Sequence, residues 1–439
     1  SCARMNLPKE KRRITERAEN RINARPDWNA GYGDYRIILP TPLTENDVVR
    51  IGLERNSFVQ EQFSKLGIAK ADLVQAGFYS NPRIDCIFQR PDHRESGTKT
   101  IVEIDLAFTI SDLWQIPLRK RVAKDLLEIQ SREIIKNILL VTTEIKYAFL
   151  SCIYFEQAIS VEKEILSILE KTAERIDLRH AHGLHTQLDQ QTIILERTTQ
   201  KAHVLNQELM LKKAKNDLSG LLRIPAGDLT MLPKDLLLKH PISSEMTDTN
   251  IEQKALEINP TIQIAKAQIT RARHAISVEY SKIFPNVQLG LAYDKDSDGS
   301  TARGALLGFD IPIFDTNYGA IKRAKEELAQ MRHVLDNEKI NISGRILNAW
   351  YTYQTNLSLI AMYEKEVIPV TEKAFDFAQK QFEQMQLSML VILESQRTLF
   401  TAKRKLITMQ YELQRARIEI ENLLGTPIEA LLNKSTSTP

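Results

Sequence analysis

Three of the chain's eight histidines, His180, His182 and His185, fall within six residues, and Asp189 follows one helical turn later. Neutral imidazole nitrogens and a carboxylate are ligands for zinc, copper or nickel, so this segment is where the chain could hold a metal. The spacing matches no standard chelate. The functional reading is weak metal contact or pH sensitivity, and the plainer alternative is a polar surface that faces another protein. No HExxH, CxxC, nucleophile elbow, P-loop or GxGxxG occurs, so catalysis has no foothold and an enzyme is not expected.

A second chemical handle is Cys2. Ser1-Cys2-Ala3 matches the end of a bacterial lipobox, which would make Cys2 the lipid-bearing residue; an accidental N-terminal cysteine is the alternative. Cys86 falls in a strand-like segment and Cys152 about 35 residues into a long helical one, roughly 50 Å away at 1.5 Å per residue, too far for a disulfide within one chain. The formal charge is +3 from 59 basic and 56 acidic residues, nearly cancelled and interspersed, so nothing calls for nucleic acid. Lys9 to Arg25 is the exception, read as a solvated basic tail or a segment touching anionic headgroups. The longest apolar stretch, Tyr147 to Phe155, falls well short of a spanning helix, so any membrane entry must use strands.

The elements that would position these residues come as one unit used twice. Sixteen Gly and sixteen Pro in 439 residues leave room for long helices. Leu53 and Asn56 recur as Leu256 and Asn259, and Pro82 as Pro285, at an offset of about 203; Leu221-Leu222 with Pro225 recurs as Leu423-Leu424 with Pro427 at about 202. Each copy reads helix, strand, strand, very long helix, helix. The opening helices run from Glu45 to Tyr79, after an N-cap at Thr44, and from Asn250 to Ile283, after Thr249 or at Asn250. The apolar period then switches to two: Ile84, Cys86 and Phe88, then Val102, Ile104, Leu106, Phe108 and Ile110, opposed by Glu103, Asp105 and Thr109. The second copy has Val287, Leu289, Leu291 and Tyr293, then Leu307, Phe309, Ile311 and Ile313, opposed by Asn286, Gln288, Gly290, Gly304, Gly308 and Asp310. Each pair predicts a hairpin with a polar tip.

From Leu118 the apolar residues recur at three and four to near His182, and Leu184 to Leu222 returns. In the second copy Ile321 to about Gln384 is answered by Leu387 to Leu424, with Pro369 expected to kink or break the first of these. The expected organisation is a lipidated N-terminal tail over 1–43; a first repeat over 44–222, with a β-hairpin at 83–110 and a helical hairpin at 118–222; a connector over 223–249; a second repeat over 250–425, with a β-hairpin at 286–313 and a helical hairpin at 319–424; and a C-terminal tail over 426–439. Two hairpins with one apolar and one polar or small face fit a barrel between lipid and water. Four strands cannot close one, but several protomers can. Helices of this length need neighbours along their sides, which a cylinder of such helices supplies. Trp114, Phe108, Phe309, Phe314 and Tyr318 gather where strands meet helices, either as an interfacial aromatic belt or as ordinary packing.

Over Leu43 to Pro427 the chain resembles the TolC family of outer-membrane efflux proteins. NPRI and FPNVQLGLAYD resemble the entries to that family's paired strands, and GFDIPIFDTNYGAIKRA resembles its strand-to-helix exit. TISDLWQIPLRKRVA, with Ser111-Asp112-Leu113-Trp114 and Pro117, is similar to the heavy-metal branch of CzcC-like and CusC-like proteins. The resemblance implies a mainly α fold with membrane β, a trimeric α-barrel above a twelve-stranded β-barrel with four strands from each protomer, and a lipid-anchored position in the bacterial outer membrane extending into the periplasm. It implies a homotrimer in contact with outer-membrane lipid, a periplasmic adaptor protein and an inner-membrane resistance-nodulation-division pump as partners, no cofactor, and export of heavy-metal cations. A drug conduit of the same fold, or a periplasmic coiled-coil adaptor, is the alternative. It also implies roles at the helical tips: Gly183 and Leu184, and in the second copy Gln384, Met385 and Gln386, would face the adaptor. Asp189 and Glu394 would line the periplasmic aperture, where symmetry makes each a ring of three carboxylates. Met385 stands where Gly183 does in the first copy, and Val391 where some relatives carry an acid, so the two tips are expected to differ.

Overall fold

The structure is a computed structural model and describes residues 7–22, 24–28, 43–90, 99–182, 186–229, 247–384 and 386–428. It divides into two compact units, each drawing on both copies of the repeat. The first comprises Ser1–Ile14, Glu61–Ile134 and Pro260–Ile340, and the second comprises Thr15–Gln60, Ile135–Asn259 and Asn341–Pro439.

The first unit carries the only sheet among the described residues. Strands β1 (Arg83–Gln89), β2 (Ile101–Thr109), β3 (Val287–Lys295) and β4 (Thr301–Phe309) pair antiparallel in the order β1-β2-β3-β4. Two short hairpins from the two copies are thus joined by a β2–β3 seam running from Val102↔Lys295 to Thr109↔Gln288. The register sorts the side chains. Ile84, Cys86 and Phe88 lie on one face with Ile104, Leu106, Phe108, Leu289, Leu291, Leu307 and Phe309; Asp85, Glu103, Asp105, Gln288, Gly290, Asp294, Gly304 and Gly308 lie on the other. The alternation is therefore in phase across four strands, and the apolar face is exposed, with Phe88 69% and Leu307 65% accessible. Both outer strands, β1 and β4, end the sheet without a partner among the described residues.

Each hairpin is closed at its base by a polar clasp. In the first copy the Ser80 amide donates to Asp112 Oδ2 at 2.6 Å and Arg119 donates to Asp112 Oδ1 at 2.7 Å. In the second, Asn317 Nδ2 donates to the Glu279 carbonyl at 2.8 Å and its carboxylate at 3.0 Å. Asn317 takes a left-handed φ of 57°, a conformation asparagine tolerates better than most residues.

Helix α2 (Glu45–Arg55) opens on a capping box in which Thr44 Oγ1 accepts from the Asp47 amide and Asp47 accepts from the Thr44 amide. Helix α3 (Ser57–Gln75) follows after a break at Asn56, whose side-chain oxygen accepts from the Phe58 and Val59 amides. The second copy breaks in the same place. Helix α6 (Asp248–Ile258) stops at Asn259, whose Nδ2 donates to the Leu423 carbonyl at 2.7 Å, and α7 (Pro260–Ser281) begins on a proline that has no N–H to lose. The two single opening helices expected from the sequence are therefore two helices each, and the second starts after Thr247 rather than Thr249 or Asn250. The asparagines that marked the repeat are the hinges of that break.

The long helices are α4 (Asp112–Ala181), α5 (Gln187–Leu222), α8 (Tyr318–Met362), α9 (Ile368–Glu383) and α10 (Met389–Leu424), with a π turn at Tyr363–Val367. The α-helix is interrupted just before Pro369, where the Ile368 N–H reaches back to the Tyr363 carbonyl in the wider π turn and α9 restarts with Pro369 in its first turn, where its missing N–H costs least. In the second unit α10 buries Arg417 and Glu421 against α2 and α4. Arg417 donates to Glu45 at 2.8 Å and Glu421 at 3.0 Å, and Lys146 bonds Glu421 at 2.8 Å and Glu45 at 2.9 Å. Burial alone would lower the Lys146 pKa, but Glu421 and Glu45 outweigh it and hold the ammonium above its ordinary value. In the same unit as these two cations and two anions, Val48, Ile51, Leu53, Phe149, Leu222 and Leu424 are buried.

Three further expectations change. The basic N-terminal segment is not a solvated tail, because α1 (Leu7–Ile22) buries Ile14, Ala18 and Ile22 while Lys9, Arg12, Arg13 and Arg17 stay outside; its apolar residues recur every four. Strand β4 ends at Phe309, so Ile311 and Ile313 leave the sheet, and Pro312 between them cannot donate to a ladder. Helix α4 also holds an 18-residue stretch of mean hydropathy 1.5, apolar enough by composition to cross a membrane, of which half is buried. Its scattered Thr and Ser hide it from a search for unbroken apolar runs.

Gly290 tests the seam. A Cβ there would stand 2.2 Å from the Leu106 carbonyl oxygen, whereas one at Gly304 would meet nothing within 4 Å. Gly290→Ala should destabilise the protein by about 1–3 kcal/mol, as overpacking against backbone does, and Gly304→Ala by less than about 0.5 kcal/mol, measured by thermal or urea unfolding.

Candidate functional site

The second unit brings both helical tips together. Arg175 and Arg179 stand one turn apart in the last turns of α4, and α9 ends beside them. Arg179 donates to the carbonyls of Phe382 and Glu383, each at 3.0 Å, and its guanidinium lies 4.8 Å from the centre of the Phe382 ring. Arg175 pairs with the Glu383 carboxylate. These carbonyls belong to the four that a helix C-terminus leaves without partners, so a cation of the first repeat closes the end of a helix of the second. Below, Ile176, Ile193, Phe382, Met389, Ile392 and Phe400 pack into one apolar cluster.

The expected tip residues fall unevenly on this frame. Gly183, Leu184, His185 and Met385 lie outside the described residues. Gln384 and Gln386 are exposed, and their backbone amides close the last turn of α9 onto Lys380 and Gln381. Asp189 acts close to home, accepting from the Thr186 amide at 3.0 Å and hydroxyl at 2.8 Å in the capping box that starts α5. Helix α10 starts at Ser388 with no side-chain cap. Glu394 is exposed and lines, with Thr192, Thr371, Leu390, Val391 and Arg397, an open apolar cleft of about 590 Å³. Among the described residues the histidines do not assemble a metal site: His182 Nδ1 lies 2.7 Å from its own helix's Leu178 carbonyl, and no group of three metal-ligating side chains forms.

A second polar set, unnoticed in the sequence, ties the hairpins together below the tips. Arg404 of α10 donates through Nε and Nη2 to both oxygens of Glu162 in α4, at 2.8 and 2.7 Å, and Nη2 also to Gln200 Oε1 of α5 at 2.8 Å. Gln200 Nε2 completes the triangle to Glu162 at 2.6 Å. Burial would raise the Glu162 pKa, but the hydrogen bonds from Arg404 and Gln200 outweigh it and hold the carboxyl below its ordinary value. The signal that could have found it was a glutamine in α5 and an acid in α4 at positions otherwise following the apolar stripe. Cys152, buried in α4, has its thiol pushed up to about 12 by burial and is free, as is the exposed Cys86.

The family described as outer membrane efflux protein matches residues 251–426. The cobalt-zinc-cadmium resistance protein CzcC of Cupriavidus metallidurans is 20% identical over 397 residues, covering 88% of this chain and 90% of the relative. The solvent efflux pump outer membrane protein SrpC of Pseudomonas putida is 27% identical over 278 residues, 58% of this chain and about half (53%) of that relative. Among solved structures, the outer-membrane channel OprN superposes with a TM-score of 0.75 at 16% identity, covering 88% of this chain and 90% of that one. CusC superposes at 0.72 and 15% identity, covering 87% and 92%. These likenesses give a TolC-like fold, with helices for an α-barrel and four strands for a β-barrel in each chain.

Because Glu162 titrates below its ordinary range when folded, the stability it contributes is complete above about pH 4.5 and disappears as pH falls through its folded pKa. Arg404→Met should cost about 2 kcal/mol at pH 7, less than the roughly 3–5 of a fully buried pair because Arg404 is over a third exposed, and the gap to wild type should narrow below pH 4. Urea unfolding at both pH values measures it.

Proposed function

We propose that the chain is a member of the outer membrane efflux protein family, whose model matches residues 251–426, and that it exports heavy-metal cations as the outer-membrane conduit of a three-part system. The observation that supports the conduit is the sheet: an exposed apolar face, a polar and glycine-rich opposite face, and two edges unpartnered among the described residues. Such a sheet is complete only when neighbouring copies supply strands to β1 and β4, and the homotrimer of twelve strands is our reading of that requirement. Metal as cargo is supported by similarity to CzcC across most of both chains; the partial match to SrpC favours an organic cargo through the same fold.

The partners we propose are a periplasmic adaptor and an inner-membrane proton-driven pump. In this reading the chain performs no chemistry and no energised step. Cys2, outside the described residues, is the proposed lipid attachment point. The tips are proposed as the adaptor's footing, with unequal shares. The first tip carries a capping box and histidines, and the second has an uncapped α10 and a C-terminus closed by Arg179. Asp189, tied into its cap, and Glu394, exposed on α10, remain the proposed aperture carboxylates, and His180, His182 and His185 a proposed weak metal contact.

Deleting the gene should sensitise the host to cobalt, zinc or cadmium, measured as growth inhibition, and wild type should restore tolerance. Restoration of organic-solvent tolerance alone would assign the chain to the organic-cargo reading. Equal loss of adaptor binding from the equivalent changes Leu184→Ala and Gln386→Ala would contradict the unequal tips.

A further inference from the structure

The first unit repeats one surface pattern at the base of both hairpins. Helix α4 leaves the sheet with Leu113 60% exposed, and on the same helix face come Pro117, then Lys120 and Lys124, all exposed. Helix α8 leaves the sheet after the fully exposed Phe314 with Tyr318 72% exposed, and on the same face come Lys322 and Lys325, both exposed. An apolar or aromatic side chain is followed seven residues on by a lysine in each copy, Leu113 by Lys120 and Tyr318 by Lys325, one helical face and about 10 Å away.

The lysines are aimed. Side chains in a helix tilt toward its N-terminus, and both helices begin at the sheet, so the four ammonium groups lean back toward the exposed apolar residues. The Lys120 stem lies against Gly77, where an added Cβ would meet its Cδ and Cε at 3.3 Å, and the Lys325 ammonium sits 5.4 Å from the centre of the Tyr280 ring. Stems on apolar surface with heads displaced toward one level is how lysines behave at a lipid boundary. Four carboxylates at this level are engaged elsewhere, Asp112 with Arg119, Asp125 with His274, Glu279 with Lys282 and Glu327 with Arg323, while Glu326 is exposed beside Lys322 and Lys325. Basic residues outnumber acidic ones four to two over 112–125 and three to two over 318–327.

We propose that Lys120, Lys124, Lys322 and Lys325 form a basic collar that binds the phosphates of anionic phospholipids in the leaflet at the helix side of the sheet, with Leu113, Phe314 and Tyr318 seated in its apolar boundary. Charge complementarity selects the occupant: a phosphate layer above hydrocarbon matches lysines above exposed apolar side chains. The proposal rests on the reading that the sheet enters a bilayer, and it adds the class of lipid.

The test uses the full chain, purified in detergent and diluted into vesicles of phosphatidylcholine alone or with about 30 mol% phosphatidylglycerol, on the order of the anionic content that sets a leaflet's surface potential. Flotation gives the bound fraction, and ion release from the vesicles reports pores. Wild type should favour the anionic vesicles by about tenfold or more, the preference should collapse in about 0.5 M salt, and each Lys→Gln change should weaken it by up to about fivefold. The quadruple Lys→Arg variant should keep the preference. Equal binding of wild type to both vesicles, or an undiminished preference in the quadruple Lys→Gln variant, overturns the collar; pores in both vesicles would then leave the conduit reading standing. Wild type that neither binds nor forms pores in either vesicle overturns both.

Discussion

The seam between β2 and β3 is the constraint on which the rest depends. Neither hairpin has enough strands to be stable alone, and each has one face that water disfavours. Joined, they make four strands whose apolar residues share a face because the register sets Ile84 opposite Leu106, Leu106 opposite Leu291 and Leu291 opposite Ala305. A slip of one residue anywhere would turn Phe108 and Leu289 among the carboxylates. Gly290 guards the register by close approach: the Leu106 carbonyl occupies the space a side chain would need. Among the described residues two edges and an apolar face remain open, the edges to further strands and the face to an apolar surrounding.

In the second unit charge holds helices at fixed heights. Arg417 and Lys146 with Glu45 and Glu421 form a closed set at one level, and Arg404 with Glu162 and Gln200 forms another. Each needs a partner from a different helix, so sliding any helix by a turn would strand a buried charge, which costs far more than the pair contributes when intact. Apolar stripes on long helices pack almost equally well one turn out of step; these polar sets do not. The clamp of Arg179 on the end of α9 is lighter, half-buried and built on backbone carbonyls.

Much of this was legible in the residues. The repeat anchors Asn56 and Asn259 announced the duplication, and strict alternation from Ile84 to Phe108 announced the strands and their faces. Less legible was anything decided by residues far apart. That Asn56 and Asn259 interrupt their helices follows from hydrogen bonds, one local and one to Leu423, which periodicity does not register. Arg179 reads as one more basic residue near a helix end until α9 arrives beside it. The N-terminal segment misled by composition: its charges dominate the eye, while Ile14, Ala18 and Ile22 quietly form a buried stripe. At the tips, the structure ties Asp189 to Thr186 in a capping box, a matter of local geometry three residues long.

The seam also has a consequence for how the chain comes into being. Its paired residues lie 179 to 193 positions apart. A chain emerging from its N-terminus would therefore present β1 and β2 long before β3 exists. Throughout that interval a two-stranded ribbon with a hydrophobic flank and a bare backbone edge is available to any neighbour, the condition under which nascent strands aggregate. Closing so long a loop is slow because its entropy is lost before any pairing compensates for it. The sheet accordingly cannot be completed until the second repeat has been made.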